Sequence, residues 1–266
     1  MKAIGVFDSG IGGLTVVKEL ARQLPYEDIV YLGDTARVPY GTKSESTIVR
    51  FTLENILFLL RQDVKFIVIA CNTASSIALE LVKKYFQIPI IGVIKPGAKQ
   101  AVRVTRNKRV GVIGTAATIR TGAYESQIRR LDPSIKVTSC ACPLFVPLVE
   151  EGQRSQKIIF DAASQYLKPL KKAAVDTLIL GCTHYPLLKP VIKKVMGGNI
   201  VLVDSALQVA SEVRAALAAE GMLNVKRPLK SVKRIFNVTD EPKAFLALAE
   251  RFLGYTVNKV KKVEYV

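Results

Sequence analysis

The chain has 266 residues, 49% of them hydrophobic and 23% charged, which excludes a disordered protein and leaves room for one large domain or two ordinary ones. No apolar run approaches the roughly 18 residues that span a bilayer, and the first residues lack the apolar core of a signal peptide. Four cysteines do not make a disulfide framework. We therefore expect a cytoplasmic protein with no membrane partner. The formal net charge of +17 is compatible with a nucleic-acid partner, but the basic residues are scattered and no nucleic-acid motif accompanies them, so a solvated basic surface is preferred.

The first predicted strand, residues 3–8, ends at Asp8 and opens into Ser9 and a glycine-rich turn at 10–13, followed by a helix over 14–24. Glycines between a strand and a helix allow close approach of a ligand, and the free amides of the helix favour an anion. The glycine spacing fits neither a dinucleotide fingerprint nor a lysine-containing phosphate loop. A simple tight turn is an equally good interpretation.

A second strand, residues 29–32, leads into a polar loop that contains Asp34, Tyr40 and Gly41. Ser44 is placed to cap the helix that follows through Leu60. The elements predicted next are a strand over 65–70, a helix over 74–85, a strand over 88–93 and a crossing point between units at Pro96–Gly97.

The same order then begins again, with Gly111 in the place of Gly5. The predicted elements are a strand over 109–115, a helix over 118–131, a strand over 135–139, a loop over 143–150, a long helix through 170 and a strand over 177–181. We interpret this as a remote internal duplication. It predicts two similar α/β domains, residues 1–95 with 207–266 and residues 96–206.

The remaining elements are predicted as a helix over 187–195, a strand over 200–203, a helix over 205–220, a strand over 231–237, a helix over 240–253 and a strand over 256–264. The last strand alternates Val and Lys, as an exposed edge strand does. We expect this tail to return to the first unit.

The two halves share one feature, an apolar run that ends in a cysteine followed by two hydrogen-bonding residues. Cys71 precedes Asn72 and Thr73, and Cys182 precedes Thr183 and His184. An uninterrupted apolar run predicts a buried parallel strand, and ligands bind at the carboxyl ends of such strands. A thiol at the start of a helix has a lowered pKa. Two thiols on opposite sides of one substrate carbon can remove and return a proton, which is two-base racemisation or epimerisation.

Simpler interpretations exist for each of these residues. A free cysteine in an apolar strand is more often a small buried hydrophobic residue than a catalyst, and this is our interpretation of Cys140 and Cys142. Matching positions in both halves favour function for the other two thiols. No C-x-x-C pair is present, so we expect no metal site. His184, the only histidine, is interpreted as functional.

Four segments together resemble the signature motifs of bacterial glutamate racemases. They are IGVFDSGIGGLT at 4–15, YLGDTARVPYG at 31–41, ACNTAS at 70–75 and GCTHYPL at 181–187, and residues 142–150 are also similar. The motifs occur in the family's order, whereas the last 60 residues or so add little. The resemblance implies two α/β domains with mostly parallel sheets, pseudo-twofold symmetry and an active site in the cleft between them.

The resemblance also implies cofactor-independent interconversion of L- and D-glutamate, which supplies D-glutamate to peptidoglycan synthesis, and a homodimer. It implies that Cys71 deprotonates D-glutamate with support from Asp8, and that Cys182 deprotonates L-glutamate with support from His184. Asp34 and Glu150 would be auxiliary catalytic groups. The residues implied to hold the amino acid are Asp8, Ser9, Tyr40, Gly41, Asn72, Thr73, Thr183, His184 and, less directly, Thr118.

Three alternatives remain open from the residues. A racemase of aspartate or another acidic amino acid would need the same chemistry with a different pocket. A cysteine-dependent amidase would use Cys182 as nucleophile and His184 as base, and would leave Cys71 without a role. A basic surface that binds nucleic acid would show strongly salt-dependent binding.

Overall fold

The structure, a computed structural model, describes residues 2–152, 156–224 and 226–264. The chain divides into two compact units, of which the first contains the residues up to Val93 and again from Ala206, and the second runs from Ile94 to Ser205. The α/β class with parallel sheets expected from the sequence is confirmed. Within the part of the chain that the structure describes, no helix combines the length and the apolar character needed to cross a bilayer.

The strands, in chain order, are β1 (Ala3–Asp8), β2 (Ile29–Gly33), β3 (Val64–Ile69), β4 (Ile90–Gly92), β5 (Arg109–Gly114), β6 (Lys136–Ala141), β7 (Thr177–Gly181), β8 (Val201–Val203), β9 (Arg234–Val238) and β10 (Lys261–Lys262). The helices are α1 (Leu14–Gln23), α2 (Glu45–Leu60), α3 (Asn72–Val82), α4 (Ile94–Val104), α5 (Ala116–Arg120), α6 (Ala123–Leu131), α7 (Phe145–Glu150), α8 (Gln156–Lys172), α9 (Lys189–Met196), α10 (Ser205–Ala219) and α11 (Pro242–Leu253). Short 3-10 turns lie at Thr35–Arg37, Tyr40–Thr42, Tyr185–Leu188 and Leu229–Ser231.

The sheet of the first unit has the order β10-β9-β2-β1-β3-β4, and its pairings are parallel. Every residue of β1 is buried, which fits a strand covered on both faces. In this register Phe7 pairs with Ile69 and Asp8 with Gly33. The residues that directly follow β2 and β3 therefore leave the sheet at the same edge as Asp8.

The sheet of the second unit has the order β6-β5-β7-β8, also parallel. This is the order of β2-β1-β3-β4, so the two units repeat one connection scheme, as the duplication predicts. The matched glycines also have matched surroundings. A Cβ on Gly5 would lie 3.2 Å from Leu59 of α2, and a Cβ on Gly111 would lie 2.5 Å from Leu170 of α8. Each glycine lets a helix pack closely on the central strand.

Several local predictions were wrong. The crossing point between the units lies between Val93 and Ile94, slightly before the predicted Pro96–Gly97, which lies inside the first turn of α4, where a proline removes no helical hydrogen bond. The helix predicted over 118–131 is two helices, because Gly122 adopts a left-handed conformation with φ of 60° between them. The loop predicted over 143–150 contains the helix α7. The last strand is only Lys261–Lys262, although it does lie at the sheet edge beside β9.

A buried ion pair within the first unit, together with its hydrogen bonds, ties the segment after α10 to the first sheet. Lys65 Nζ lies 2.7 Å from Glu27 Oε2, and their side chains are 9% and 2% exposed. The same ammonium donates to the Met222 carbonyl, and Glu27 accepts from the Asn224 backbone and side chain. These buried charges are tolerated because the ammonium and the carboxylate each make further hydrogen bonds besides their ion pair.

We predict that Glu27→Ala lowers the free energy of unfolding of the first unit by about 3 kcal/mol, because it leaves the Lys65 charge buried without its carboxylate. Urea unfolding followed by circular dichroism measures the change. The matched control is Lys2→Ala, which removes a pair with Asp63 whose side chains are 62% and 73% exposed, and it should cost under about 0.5 kcal/mol. Equal effects of the two variants would contradict the prediction.

Candidate active site

Cys71 occupies the turn between β3 and α3. It is the residue before the first turn of α3, it is 4% exposed, and its carbonyl accepts the helical hydrogen bond from Ser75 N. The Sγ atom lies 3.7 Å from Ser9 Oγ, to which the thiol donates. A cysteine at a helix N-terminus is close to unpaired amides and to the positive end of the helix dipole, which favour the thiolate.

Asp8 lies at the carboxyl end of the neighbouring strand and is 1% exposed. Its Oδ1 atom accepts a hydrogen bond of 3.0 Å from Gly10 N, in the turn that also carries Ser9. Burial raises the pKa of Tyr31, and the negative charges of Asp8 and Cys71 raise it further. The first unit therefore brings the predicted residues Cys71, Asp8 and Ser9 together around one buried tyrosine.

Asp34 is fully buried and is surrounded by donors. Arg37 Nε donates to it at 2.7 Å, Thr239 Oγ1 donates at 3.1 Å, and the Tyr40 hydroxyl donates as well. The Tyr40 hydroxyl also accepts from Asn55 at 3.1 Å, and Arg37 continues the network to Glu54. The carboxylate thus anchors the loop that carries Tyr40 and Gly41, and the Tyr40 hydroxyl is already used in this network.

Cys182 follows the last residue of β7 and is 7% exposed. The 3-10 turn at Tyr185–Leu188 separates it from α9, so the helix predicted to start at 187 starts at Lys189 instead. The Sγ atom lies 3.8 Å from His184 Nδ1, and His184 Nε2 lies 2.8 Å from Glu150 Oε1. Cys182, His184 and Glu150 therefore form a continuous chain in the second unit.

The His184 imidazole is positioned to carry a positive charge. Burial lowers its pKa, but the hydrogen bonds to Cys182 and Glu150 and the charges of both groups raise it more, and the result is a pKa of about 10. An imidazolium donates from both ring nitrogens, one to the sulfur and one to the carboxylate. The second unit thus places a cation beside Cys182, whereas the first unit places a carboxylate near Cys71.

The remaining predicted residues are buried, small polar side chains at the starts of helices or in the turn after β7. Asn72, Thr73 and Thr183 follow their cysteines directly and are 4%, 2% and 8% exposed. Thr118 lies in α5, where Thr115 caps the helix by accepting from its backbone amide. The other two cysteines differ from each other, since Cys142 is fully buried with a pKa raised by burial, whereas Cys140 is partly exposed.

The sequence reasoning missed Thr239 and Tyr31. Thr239 follows β9, and Asp34 follows β2, which pairs with β9. The one signal in the sequence for this contact was that both residues come after predicted strands. Tyr31 lies inside a strand, where an aromatic residue is indistinguishable from core packing.

Comparisons with known proteins agree with one another. The family model described as Asp/Glu/Hydantoin racemase matches residues 4–213. A glutamate racemase of Geobacter metallireducens is 50% identical over 263 residues, which cover 98% of this chain and 96% of that protein. A glutamate racemase isoform of Bacillus anthracis has a similar structure, with a TM-score of 0.94, 42% identity and coverage of 99% and 97% of the two chains. A glutamate racemase of Francisella tularensis, solved in complex with D-glutamate, has a TM-score of 0.92, 42% identity and coverage of 99% and 98%.

We predict that the single histidine titrates with a midpoint near pH 10 in the folded protein, well above the ordinary value of 6.5. Since this pKa is raised by folding, the stability that the imidazolium contributes is fully present below about pH 6.5 and is lost as the pH rises through about 10. The ring-proton NMR signal, which only His184 can give, measures the midpoint.

The paired variant is Glu150→Gln, which removes one of the two charges that hold the proton and should lower the midpoint. A midpoint near 6.5 in the unaltered protein, or one that Glu150→Gln leaves in place, would contradict this account of the site.

Proposed function

The chain belongs to the Asp/Glu/hydantoin racemase family, and we propose that it interconverts L- and D-glutamate by moving the α-proton between two thiols, Cys71 and Cys182. It is an isomerase of the glutamate racemase type, given 50% identity over 98% of the chain to a glutamate racemase. The observation that carries the two-thiol assignment is the repeated topology. Each cysteine follows the strand that pairs with the central strand of its own sheet, β3 with β1 and β7 with β5, and each has its own polar partners.

In the proposed reaction the two thiols work on opposite faces of the α-carbon. The Cys71 thiolate removes the α-proton of D-glutamate, the electron pair of the C–H bond moves into a planar carbanion stabilised by the carboxylate, and the Cys182 thiol returns a proton. The L to D direction uses the same groups in exchanged roles. No proton is gained or lost overall, so no redox partner or covalent intermediate is needed, and we propose that no cofactor takes part.

The two thiols are proposed to differ in their resting state. An imidazolium at His184 donates to Cys182, and Glu150 holds that imidazolium in its orientation. The start of α3 favours the thiolate of Cys71, whereas the nearby negative charge of Asp8 opposes it, so the two act in opposite directions on this thiol. We therefore assign His184, Glu150 and Asp8 to the control of proton location on the cysteines.

The amino acid is proposed to bind through small donors that follow the strands. Ser9, Asn72, Thr73 and Thr183 supply hydroxyl and amide groups suited to carboxylates. Tyr40 and Gly41 would contribute through their backbone amides, because the Tyr40 hydroxyl is used by Asp34 and Asn55. We accordingly assign Asp34 to anchoring this loop, with no direct step in the proton transfer.

The wider role is also a proposal. D-glutamate made here would supply peptidoglycan synthesis, and with it cell-wall and cell-shape maintenance, as the family resemblance implies. A cytoplasmic location fits four free cysteines, two of which must stay reduced to work. A homodimer is the implied assembly, and sedimentation of the purified protein measures it.

We predict that Cys71→Ser and Cys182→Ser each lower racemisation of glutamate at least 1,000-fold (on the order of the general-acid or general-base contribution). A serine hydroxyl is too weak an acid to replace either thiol. The loss of optical activity of L- and of D-glutamate, followed by circular dichroism, measures the rates.

The matched control is Cys140→Ser, a third free thiol that lies outside the assigned site and is partly exposed. It should racemise glutamate within twofold of the unaltered protein. Racemisation retained by Cys71→Ser would contradict the two-thiol mechanism, whereas amide hydrolysis by Cys71→Ser in place of racemisation would favour a cysteine-dependent amidase centred on Cys182.

We predict that dialysed protein free of pyridoxal phosphate remains active and introduces deuterium at the α-position of glutamate in deuterated water. The proton that returns to the carbon comes from a thiol that has exchanged with solvent. Mass spectrometry and circular dichroism measure exchange and inversion together.

L-Aspartate is run beside L-glutamate in the same experiment. Inversion of aspartate in place of glutamate would keep the chemistry and overturn the substrate assignment. Activity that depends on added pyridoxal phosphate would reject the thiol mechanism.

A further inference from the structure

We infer that Tyr31 is a positioning residue for the Cys71 half of the racemase, an inference that rests on the proposed function. Tyr31 lies on β2, where it pairs with Val6 of β1, and it is fully buried. Its ring packs against Phe236 and Phe245, with centroid separations of 6.3 and 6.0 Å. These contacts fix the ring from the side of β9 and α11, so that its hydroxyl has a defined position.

The hydroxyl holds the turn that carries the proposed catalytic groups. Tyr31 Oη donates to the Gly10 carbonyl at 2.7 Å, and Gly10 N donates in turn to Asp8 Oδ1 at 3.0 Å. Ser9, the acceptor of the Cys71 thiol, is the residue between Asp8 and Gly10. One peptide segment therefore connects the tyrosine hydroxyl to the carboxylate and to the serine that contacts the sulfur.

Two glycines show how closely this turn packs on the ring. A Cβ on Gly13 would lie 2.5 Å from Asp8 Cβ and 3.1 Å from the Tyr31 hydroxyl. A Cβ on Gly33 would lie 2.5 Å from the Gly10 carbonyl oxygen. The turn therefore has no room to move toward the sheet. Removal of the hydroxyl leaves the buried Gly10 carbonyl without its donor, which is unfavourable and favours displacement of the turn away from the sheet.

Tyr31 acts through this hydrogen bond and does not carry the proton itself. Burial and the charges of Asp8 and Cys71 raise its pKa, so the hydroxyl stays a neutral donor at every working pH. Its partner is a backbone carbonyl, which cannot accept a proton in catalysis. The expected consequence of losing the hydroxyl is a misplaced Asp8–Ser9 segment, and hence slower proton transfer at Cys71.

Racemisation uses both thiols, so it cannot show which of the two is impaired. A reaction that needs only the deprotonating thiol can report on each thiol by itself. With 3-chloroglutamate, a thiolate removes the α-proton, the C–H electron pair forms the Cα=Cβ bond and chloride leaves with the C–Cl electrons. The enamine then tautomerises and hydrolyses to 2-oxoglutarate and ammonia. Only the deprotonating thiol is needed, so the D isomer reports on Cys71 and the L isomer on Cys182.

The test compares Tyr31→Phe with the unaltered protein on both isomers. We expect kcat for chloride loss from the D isomer to fall about tenfold, which corresponds to about 1.4 kcal/mol in the activation free energy. For the L isomer, kcat should stay within twofold. Racemisation of glutamate should fall in both directions. Tyr85→Phe, at a tyrosine 67% exposed, is the control and should change neither isomer.

The outcomes separate this inference from the proposed function. Equal loss on both isomers, or no loss on either, overturns the role of Tyr31. If Cys71→Ser keeps full activity on the D isomer, the two-thiol assignment itself fails. Circular dichroism and urea unfolding check the fold of Tyr31→Phe. Should it not fold, Gly33→Ala displaces the Gly10 carbonyl while keeping the tyrosine, and the same loss restricted to the D isomer is expected.

Discussion

The rest of the molecule depends on one constraint, the parallel pairing of β3 with β1 and of β7 with β5. Cys71 and Cys182 follow these strands at their carboxyl ends. Strands that run in one direction present their carboxyl ends at one edge, and β1 and β3 therefore deliver Asp8 and Cys71 to the same edge of the first sheet. The pairing of β5 with β7 delivers Cys182 in the same way. Apart from the exposed Arg109, every residue of the two central strands is buried, so apolar packing against both strands favours a single register.

The repeated scaffold carries different chemistry in its two copies. In the first unit a thiol at a helix N-terminus lies near a buried carboxylate and contacts a serine. In the second unit a 3-10 turn follows the thiol, and a histidine paired with Glu150 lies beside it. The proposed two-thiol racemisation needs one thiol deprotonated and the other protonated at the start of each turnover. The two units share one connection scheme but surround their cysteines with different polar groups, and this difference can keep the two thiols in different protonation states.

Two buried carboxylates in the first unit hold polar segments of the chain in place. Asp34 accepts from Arg37 and Thr239 and receives the Tyr40 hydroxyl, and Glu27 pairs with Lys65 and with Asn224. A carboxylate in such a setting is stable only when its oxygens are filled, and loss of one donor is costly. This accounts for a loop between β2 and α2 that is held firmly despite its high content of polar residues. The same logic makes Tyr31 a support for the turn after β1.

Local signals in the sequence predicted the parallel strands, the two cysteines at their ends and the repetition of the scheme, because continuous apolar runs and the turn residues that end them are local patterns. The sequence also placed His184 beside Cys182, two residues away. It placed the crossing point between the units at Pro96–Gly97, inside α4, whereas the units divide between Val93 and Ile94, and it predicted a loop over 143–150 where α7 lies. Proline in a first helical turn and a six-residue helix leave weak local patterns. The donors to Asp34, the hydrogen bonds of the Tyr40 hydroxyl and the contact of Tyr31 with Gly10 could be found only in the folded structure. Those contacts join residues up to 205 positions apart, and they depend on how the chain closes on itself, which no local pattern encodes.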